Sequence, residues 1–145
     1  YYLWHGRELP ATCDGRRAGE PLSANFTPSL TCGSSLPLSA VRAMARPGLN
    51  RVMNGGPLTL ERHDSLFRTP EGTQKTAQLV RTFIQLGGHQ LQLNAVSPET
   101  LQDAMLHPEA HRNLIVRVWG WSGRFVELDR EYQDQILHRV CYRQE

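Results

Sequence analysis

Arg117-Val118-Trp119-Gly120-Trp121-Ser122-Gly123-Arg124-Phe125 sets one glycine, Gly120, between two indoles near the end of a 145-residue chain. Leu114-Ile115-Val116 and Val118 form a short apolar run ahead of it, which predicts a buried strand delivering the chain to Gly120. Phe125-Val126-Glu127-Leu128 leads away. By spacing alone, a glycine in such a run marks a bulge or a close backbone approach.

Glycine has a second property. With no Cβ, its Cα can become planar without a side chain striking the flanking peptides. An unpaired electron on that Cα is shared with the amide nitrogen on one side and the carbonyl on the other. It lasts only where water, oxygen and stray hydrogen donors are kept away. Val118, Trp119, Trp121 and Phe125 are suitable walls, and Arg117 is placed to fix the loop by donating to carbonyls.

Working outward, helical and strand patterns alternate, which argues an α/β fold. Downstream, Asp129 opens a helix as N-cap, with Glu131 in its first turn and Leu128, Tyr132, Ile136 and Val140 as the buried face. Upstream, Ser97-Pro98-Glu99 starts a helix that runs to about Leu106, and Pro108 closes it. Residues His89–Val96 alternate as a strand with Leu91, Leu93 and Ala95 on one face and Gln90, Gln92 and Asn94 on the other. A polar face of that kind is either solvated or, for His89, Gln90 and Gln92, the lining of a barrel interior. Thr69-Pro70-Glu71 begins a further helix, with Ala77, Val80, Phe83 and Ile84 as its apolar stripe and Gly87-Gly88 at its end. Leu58-Thr59-Leu60 reads as a short strand, and Ser39 as the cap of a helix over Ala40–Arg46 stopped by Pro47-Gly48. Residues 1–37 read as loop-rich.

Composition narrows the function classes. The chain is 39% hydrophobic and 21% charged, with a net charge of +2, as in an ordinary globular domain. Its 16 Lys and Arg are scattered, so no nucleic-acid stripe is expected. No run of 18 apolar residues predicts a membrane span. Tyr1-Tyr2-Leu3-Trp4-His5 is not a signal peptide, and the start without Met reads as the interior of a longer protein. Cys13, Cys32 and Cys141 are odd in number and widely spaced, which fits a reducing, cytoplasmic setting. Without a Cys-x-x-Cys pair, no metal or bound cofactor is expected. His107 and His111 are four apart, but Pro108 intervenes, so a shared helical face is not implied. Arg16 and Arg17 read either as surface loop arginines or as an anion clamp.

The run from Leu86 to Arg139 resembles the C-terminal glycyl radical domain of the pyruvate formate-lyase superfamily. The landmarks occur in order: Gly88-His89-Gln90-Leu91-Gln92-Leu93-Asn94, Asp103-Ala104-Met105, Pro108-Glu109, Leu114 to Val118, Gly120, Phe125, Leu128 and Gln133-Asp134-Gln135-Ile136. Asp14-Gly15-Arg16-Arg17-Ala18-Gly19-Glu20-Pro21-Leu22 and Asn54-Gly55-Gly56 have counterparts as well. Trp119 and Trp121 depart from the small residue and the Tyr often found there, and lean toward the isethionate sulfite-lyase-like and arylacetate decarboxylase-like branches.

The resemblance implies that residues 1–23 end a catalytic domain and 24–145 form the glycine radical domain. It implies part of a ten-stranded α/β barrel with Gly120 on an inner loop, Gly120 as the radical glycine, and Gly123 not. It implies activation by a partner enzyme that uses S-adenosylmethionine and an iron–sulfur cluster. The radical would then pass to an upstream Cys-x-Glu cysteine, which none of the three cysteines matches, for lyase chemistry on a small organic substrate. The rest of the parent polypeptide and a second copy in a homodimer are the other expected partners. A stand-alone glycyl radical spare-part subunit, a formate C-acetyltransferase-like fragment and a plain α/β domain are the competing readings.

Overall fold

The computed structural model describes residues 2–29, 31, 36–118, 120–139 and 141–142, the last two by their backbone alone. Expectations that fall on Trp119, Val140 and Cys32, or on the Cys141 side chain, lie outside the described residues. The described helices are α1 (Tyr2–Glu8), α2 (Pro37–Ala45), α3 (Pro70–Gln85), α4 (Pro98–Leu106) and α5 (Arg130–Leu137). The strands are β1 (Pro57–Arg62), β2 (Gln90–Ala95), β3 (Ile115–Arg117), β4 (Ser122–Arg124) and β5 (Cys141–Tyr142), with short 3-10 turns between. The fold is mixed α/β, with one sheet in the order β2-β1-β5 and a separate β3-β4 hairpin. Two compact units divide the chain, one of Tyr1–Leu60 with Gln74–Gln92, the other of Glu61–Thr73 with Leu93–Glu145.

In the first unit, the segment expected to be loop-rich contains α1. The helix is tied to the loop beyond it, because a Cβ on Gly6 would lie 2.6 Å from the Glu20 carbonyl oxygen. Only glycine lets those backbones approach so closely. α2 starts two residues ahead of the expected Ser39 cap, with Leu36 at the N-cap and Pro37 at the first helical position. Proline is suited there, since its missing N–H is one that the helix leaves unpaired anyway. β1 extends the expected Leu58-Thr59-Leu60 strand, and all three residues are buried, so the strand is covered on both faces.

α3 ends as its glycines predict. Gly87 has φ +77°, its N–H donates to Ile84 O at 3.0 Å, and the Gly88 N–H donates to Phe83 O at 2.9 Å. This is a Schellman closure. The buried face differs from the expected stripe. Phe83 is buried as expected, but its companions are Thr76 and Leu79, whereas Ala77 is exposed, Val80 half-buried and Ile84 66% exposed. Neighbouring positions on a helix lie about 100° apart, and the buried face is turned by one position from Ala77-Val80-Ile84. The Phe83 ring fills the space over Gly88, where a Cβ would lie 2.3 Å from Cζ.

β2 inverts its expected polarity. Gln92 and Asn94 are buried, Leu91 and Leu93 are half-buried, and His89 and Gln90 are exposed. The polar face survives burial because it is bonded. Within the first unit, Thr59 Oγ1 donates to Gln92 Oε1 at 3.4 Å.

In the second unit, Ser97 caps α4 by accepting from the Thr100 N–H at 3.0 Å. Leu101 and Ala104 of α4 pack with Val116, Val118, Phe125 and Ile136 in one buried cluster. α5 begins after Asp129 as expected. Ile136 is buried, Leu128 and Tyr132 are half-buried, and Gln133 and Gln135 are buried beside them. β5 runs parallel to β1, pairing Cys141 with Glu61 and Tyr142 with Arg62.

Candidate functional site

Gly120 sits at the tip of a β-hairpin. β3 and β4 pair antiparallel as Ile115↔Arg124, Val116↔Gly123 and Arg117↔Ser122. The Val118 N–H then donates to Trp121 O at 3.0 Å and narrows the mouth of the turn. Gly120 is exposed, with φ +69°, and apart from its two chain neighbours no described atom lies within 4 Å of where its Cβ would be. A side chain in this left-handed conformation costs about 1–2 kcal/mol. The local backbone therefore demands glycine for its dihedral, not for lack of room.

The expected buried strand is buried on one face only. Val116 and Val118 point into the core, while Ile115 is 64% exposed. The reason is that the run returns at once as a two-stranded ribbon. Phe125 is fully buried, and its N–H donates to Leu114 O at 2.8 Å. Of the expected walls, Val118 and Phe125 lie in the core that supports the hairpin. Trp121 is 48% exposed and its indole lies over Gly123, where a Cβ would be 2.6 Å from Cζ3.

The carbonyls of Arg117 and Val118 are held, among the described residues, by side chains other than that of Arg117. The Arg117 guanidinium instead crosses the ribbon to Ser122 Oγ at 3.3 Å. Arg139 does the holding. Its Nη1 donates to Arg117 O at 3.0 Å and its Nη2 to Val118 O at 2.8 Å. Nη1 also meets Glu61 Oε1 at 2.8 Å, and Nε donates to Gln135 Oε1 at 3.2 Å. The Arg139 and Glu61 side chains are only 5% and 12% exposed, so this is a buried ion pair. Asn94 completes the set. Its Nδ2 donates to Arg117 O at 3.1 Å and to Glu61 Oε1 at 2.9 Å, while its Oδ1 accepts from the Arg117 N–H at 3.2 Å. On the return arm, Gln133 Nε2 donates to Phe125 O at 3.0 Å. Every one of these groups belongs to the second unit.

Sequence reasoning missed Arg139, Glu61, Asn94 and Gln133 as determinants of the site. Asn94 and Gln133 stood among the family landmarks and Arg139 at the end of the resembling run, but nothing in the sequence gave them this role. The Glu61–Arg139 pair joins residues 78 apart, which no local pattern reports.

The remaining candidates resolve plainly. Arg16 is neither a surface arginine nor an anion clamp. It is buried and donates to Glu20 O at 2.7 Å, to Arg17 O at 3.2 Å and to Pro10 O, closing its own loop. Arg17 is exposed. Cys13 is an exposed free thiol. His107 and His111 do converge despite Pro108, on the two oxygens of Asp103, with Nδ1 at 2.9 Å and Nε2 at 2.6 Å. Among the described residues no group of three His, Cys, Asp or Glu is disposed to hold a metal ion, and no helix is long and apolar enough to cross a membrane.

Comparison with known proteins identifies the architecture. A family model described as glycine radical matches residues 25–126. The chain is 29% identical over 140 residues to the trans-4-hydroxy-L-proline dehydratase of Clostridioides difficile, covering 96% of this chain and 18% of that protein. It is 31% identical over 132 residues to a 4-hydroxyphenylacetate decarboxylase glycyl radical subunit of Clostridium scatologenes, covering 91% of this chain and 15% of that one. The glycerol-bound form of the B12-independent glycerol dehydratase from Clostridium butyricum matches with a TM-score of 0.92 at 29% identity, over 99% of this chain and 18% of that one. The chain belongs to the glycine radical family, the glycyl radical domain of the pyruvate formate-lyase superfamily. It spans less than a fifth of the length of these relatives.

Proposed function

We propose that the chain is the radical-storing C-terminal segment of a glycyl radical enzyme and that Gly120 carries the radical. One observation supports this above the rest. In a chain of this family, Gly120 is the glycine presented at a hairpin tip in a left-handed conformation with open space at its Cβ position. Gly123 is a strand residue paired with Val116 beneath Trp121.

In this reading a separate activating enzyme, with S-adenosylmethionine and an iron–sulfur cluster, breaks a Cα–H bond of Gly120 homolytically. The hydrogen atom passes to a carbon radical formed from S-adenosylmethionine, whose C–S bond is cleaved with one electron from the cluster. Gly120 Cα then takes a hydrogen atom from a cysteine thiol elsewhere in the parent polypeptide and leaves a thiyl radical. That thiyl takes hydrogen from the substrate, which loses a group by C–O, C–C or C–S cleavage. The product radical recovers hydrogen from the thiol, and the thiyl regains its own from Gly120. Residues of this chain hold the turn and its core, and the chain alone turns over nothing. The dehydratases and the decarboxylase among its relatives favour loss of water or C–C cleavage over acyl transfer to coenzyme A.

A stored radical needs a dry setting, and in this chain Gly120 is exposed, with Ile115 and Trp121 presenting apolar surface on the same hairpin. The cover is the rest of the parent polypeptide, closing a ten-stranded α/β barrel around the Gly120 loop, in a cytoplasmic homodimer. Anaerobic activation of the whole polypeptide followed by electron paramagnetic resonance tests the assignment. A glycyl doublet is expected, lost in Gly120→Ala and kept in Gly123→Ala. An undiminished doublet in Gly120→Ala would refute it. Oxygen should then cut the activated chain at Gly120 and release a short C-terminal peptide.

A further inference from the structure

The turn that carries Gly120 is pinned by side chains where a sheet would use a neighbouring strand. Among the described residues β3 has one strand partner, β4, and each contributes three residues. A ribbon that short is not stable by itself. On its outer side, Arg117 O accepts from both Arg139 and Asn94, and Val118 O accepts from Arg139. These are the last two carbonyls before Trp119 and Gly120. All three guanidinium nitrogens of Arg139 are engaged, and Glu61 supplies the counter-charge in a nearly dry environment. A planar guanidinium can hold two carbonyls and a carboxylate at once in a fixed geometry, which a lysine ammonium cannot reproduce.

We propose that Arg139 is a positioning residue for Gly120. With Glu61 and Asn94 it clasps the carbonyls of Arg117 and Val118 and so fixes the backbone that presents the glycine. The carbonyls that Arg139 holds lie three and two residues ahead of Gly120, so it acts through the turn. The residue lies beyond the stretch matched by the glycine radical model, which ends at residue 126. The role in catalysis rests on Gly120 being the radical site; the mechanical role does not.

The test separates clasping from bulk stability. Replacing both members of a buried ion pair by apolar residues of similar volume is often neutral for stability. The double variant Glu61→Met/Arg139→Met therefore removes the clasp without leaving a lone buried charge, and Arg139→Lys keeps the charge but not the fork. Both are made in the whole polypeptide. Backbone hydrogen exchange is followed in peptides that cover residues 118–124 and, for comparison, α4. Exchange around the turn should rise at least about tenfold in both variants, as expected for local opening without global unfolding, with α4 unchanged. Wild-type exchange around the turn in both variants overturns the proposal. Equal acceleration in α4 and the turn also overturns it, since Arg139 would then be merely structural. After activation, the glycyl doublet of the double variant should decay several-fold faster than that of the wild type. If the wild type gives no doublet, the radical assignment of Gly120 fails, and the exchange data still judge the clasp.

Discussion

The side-chain amide of Asn94 pairs with the backbone of Arg117 in both directions, donating from Nδ2 to its carbonyl at 3.1 Å and accepting at Oδ1 from its N–H at 3.2 Å. A carboxamide carries the same donor and acceptor as a peptide unit. Asn94 thus does for one residue of β3 what a neighbouring strand would do. Its second donor interaction, to Glu61 Oε1 at 2.9 Å, fixes which end of the amide faces which group.

Asn94→Leu should therefore destabilise the fold by about 1–3 kcal/mol, the cost of leaving the Arg117 N–H without a partner in a half-dry site. Asn94→Asp should cost more at neutral pH. It keeps the acceptor for the N–H but turns an oxygen toward Arg117 O and Glu61 Oε1, both already acceptors. Denaturant midpoints at unchanged slope give the order. An Asp variant more stable than the Leu variant would mean that packing, not polarity, governs the position.

The Glu61–Arg139 pair should show strong coupling. Glu61→Met or Arg139→Met alone strands one buried charge and should cost roughly 3–5 kcal/mol. The double variant should cost less than either single one. A double-mutant cycle measures this directly. Additive losses would show that the two groups contribute independently.

The two glycines of the hairpin should respond differently to substitution. At Gly120 the penalty comes from φ +69° with open space around the Cβ position, so Gly120→Asn should be tolerated better than Gly120→Ala. The Ala variant should lose about 1–2 kcal/mol. At Gly123 the obstacle is the Trp121 indole. Gly123→Ala should displace that ring toward solvent and red-shift its emission, a change absent when Trp121 is already Phe. Equal stability of the two Gly120 variants would show that the left-handed conformation is not what selects glycine there.

Much of this was legible from the chain, and the gaps have physical causes. Helix limits set by local chemistry were read correctly at Pro70, Ser97 and the Gly87-Gly88 closure, and the start after Asp129 was read correctly although its side chain makes no cap hydrogen bond. The return strand Ser122–Arg124 was not, because Ser-Gly-Arg has no strand pattern and is held by its pairing with β3. The inward face of α3 was legible only at Phe83, because Ala77, Val80 and Ile84 look as apolar as Leu79. The Phe83 ring packs over a glycine outside the helix, Gly88. The polar face of β2 stayed open between solvated and buried, since alternation distinguishes two faces without saying which is covered. Gly120 stood out by its neighbours, whereas the groups that hold its turn come from β1, β2, α5 and the residue just past the α5 cap.

A last consequence concerns acid. The Asp103 carboxylate accepts hydrogen bonds from His111 Nε2 at 2.6 Å and His107 Nδ1 at 2.9 Å, and so ties the end of α4 to the turn that enters β3. The bond from His111, then that from His107, holds the Asp103 pKa below its ordinary value of 3.8. A folded-state pKa below the unfolded one means that the unfolded chain takes the proton first. The stabilisation is therefore whole above 3.8 and is lost as pH falls through the depressed folded value. Asp103→Asn should remove this term, so the gap in unfolding midpoint between wild type and variant should narrow on passing from about pH 6 to about pH 3. The group is exposed, so the gap should also shrink with added salt. A gap that widens toward low pH would show that the carboxylate is not the acceptor that joins the two histidines.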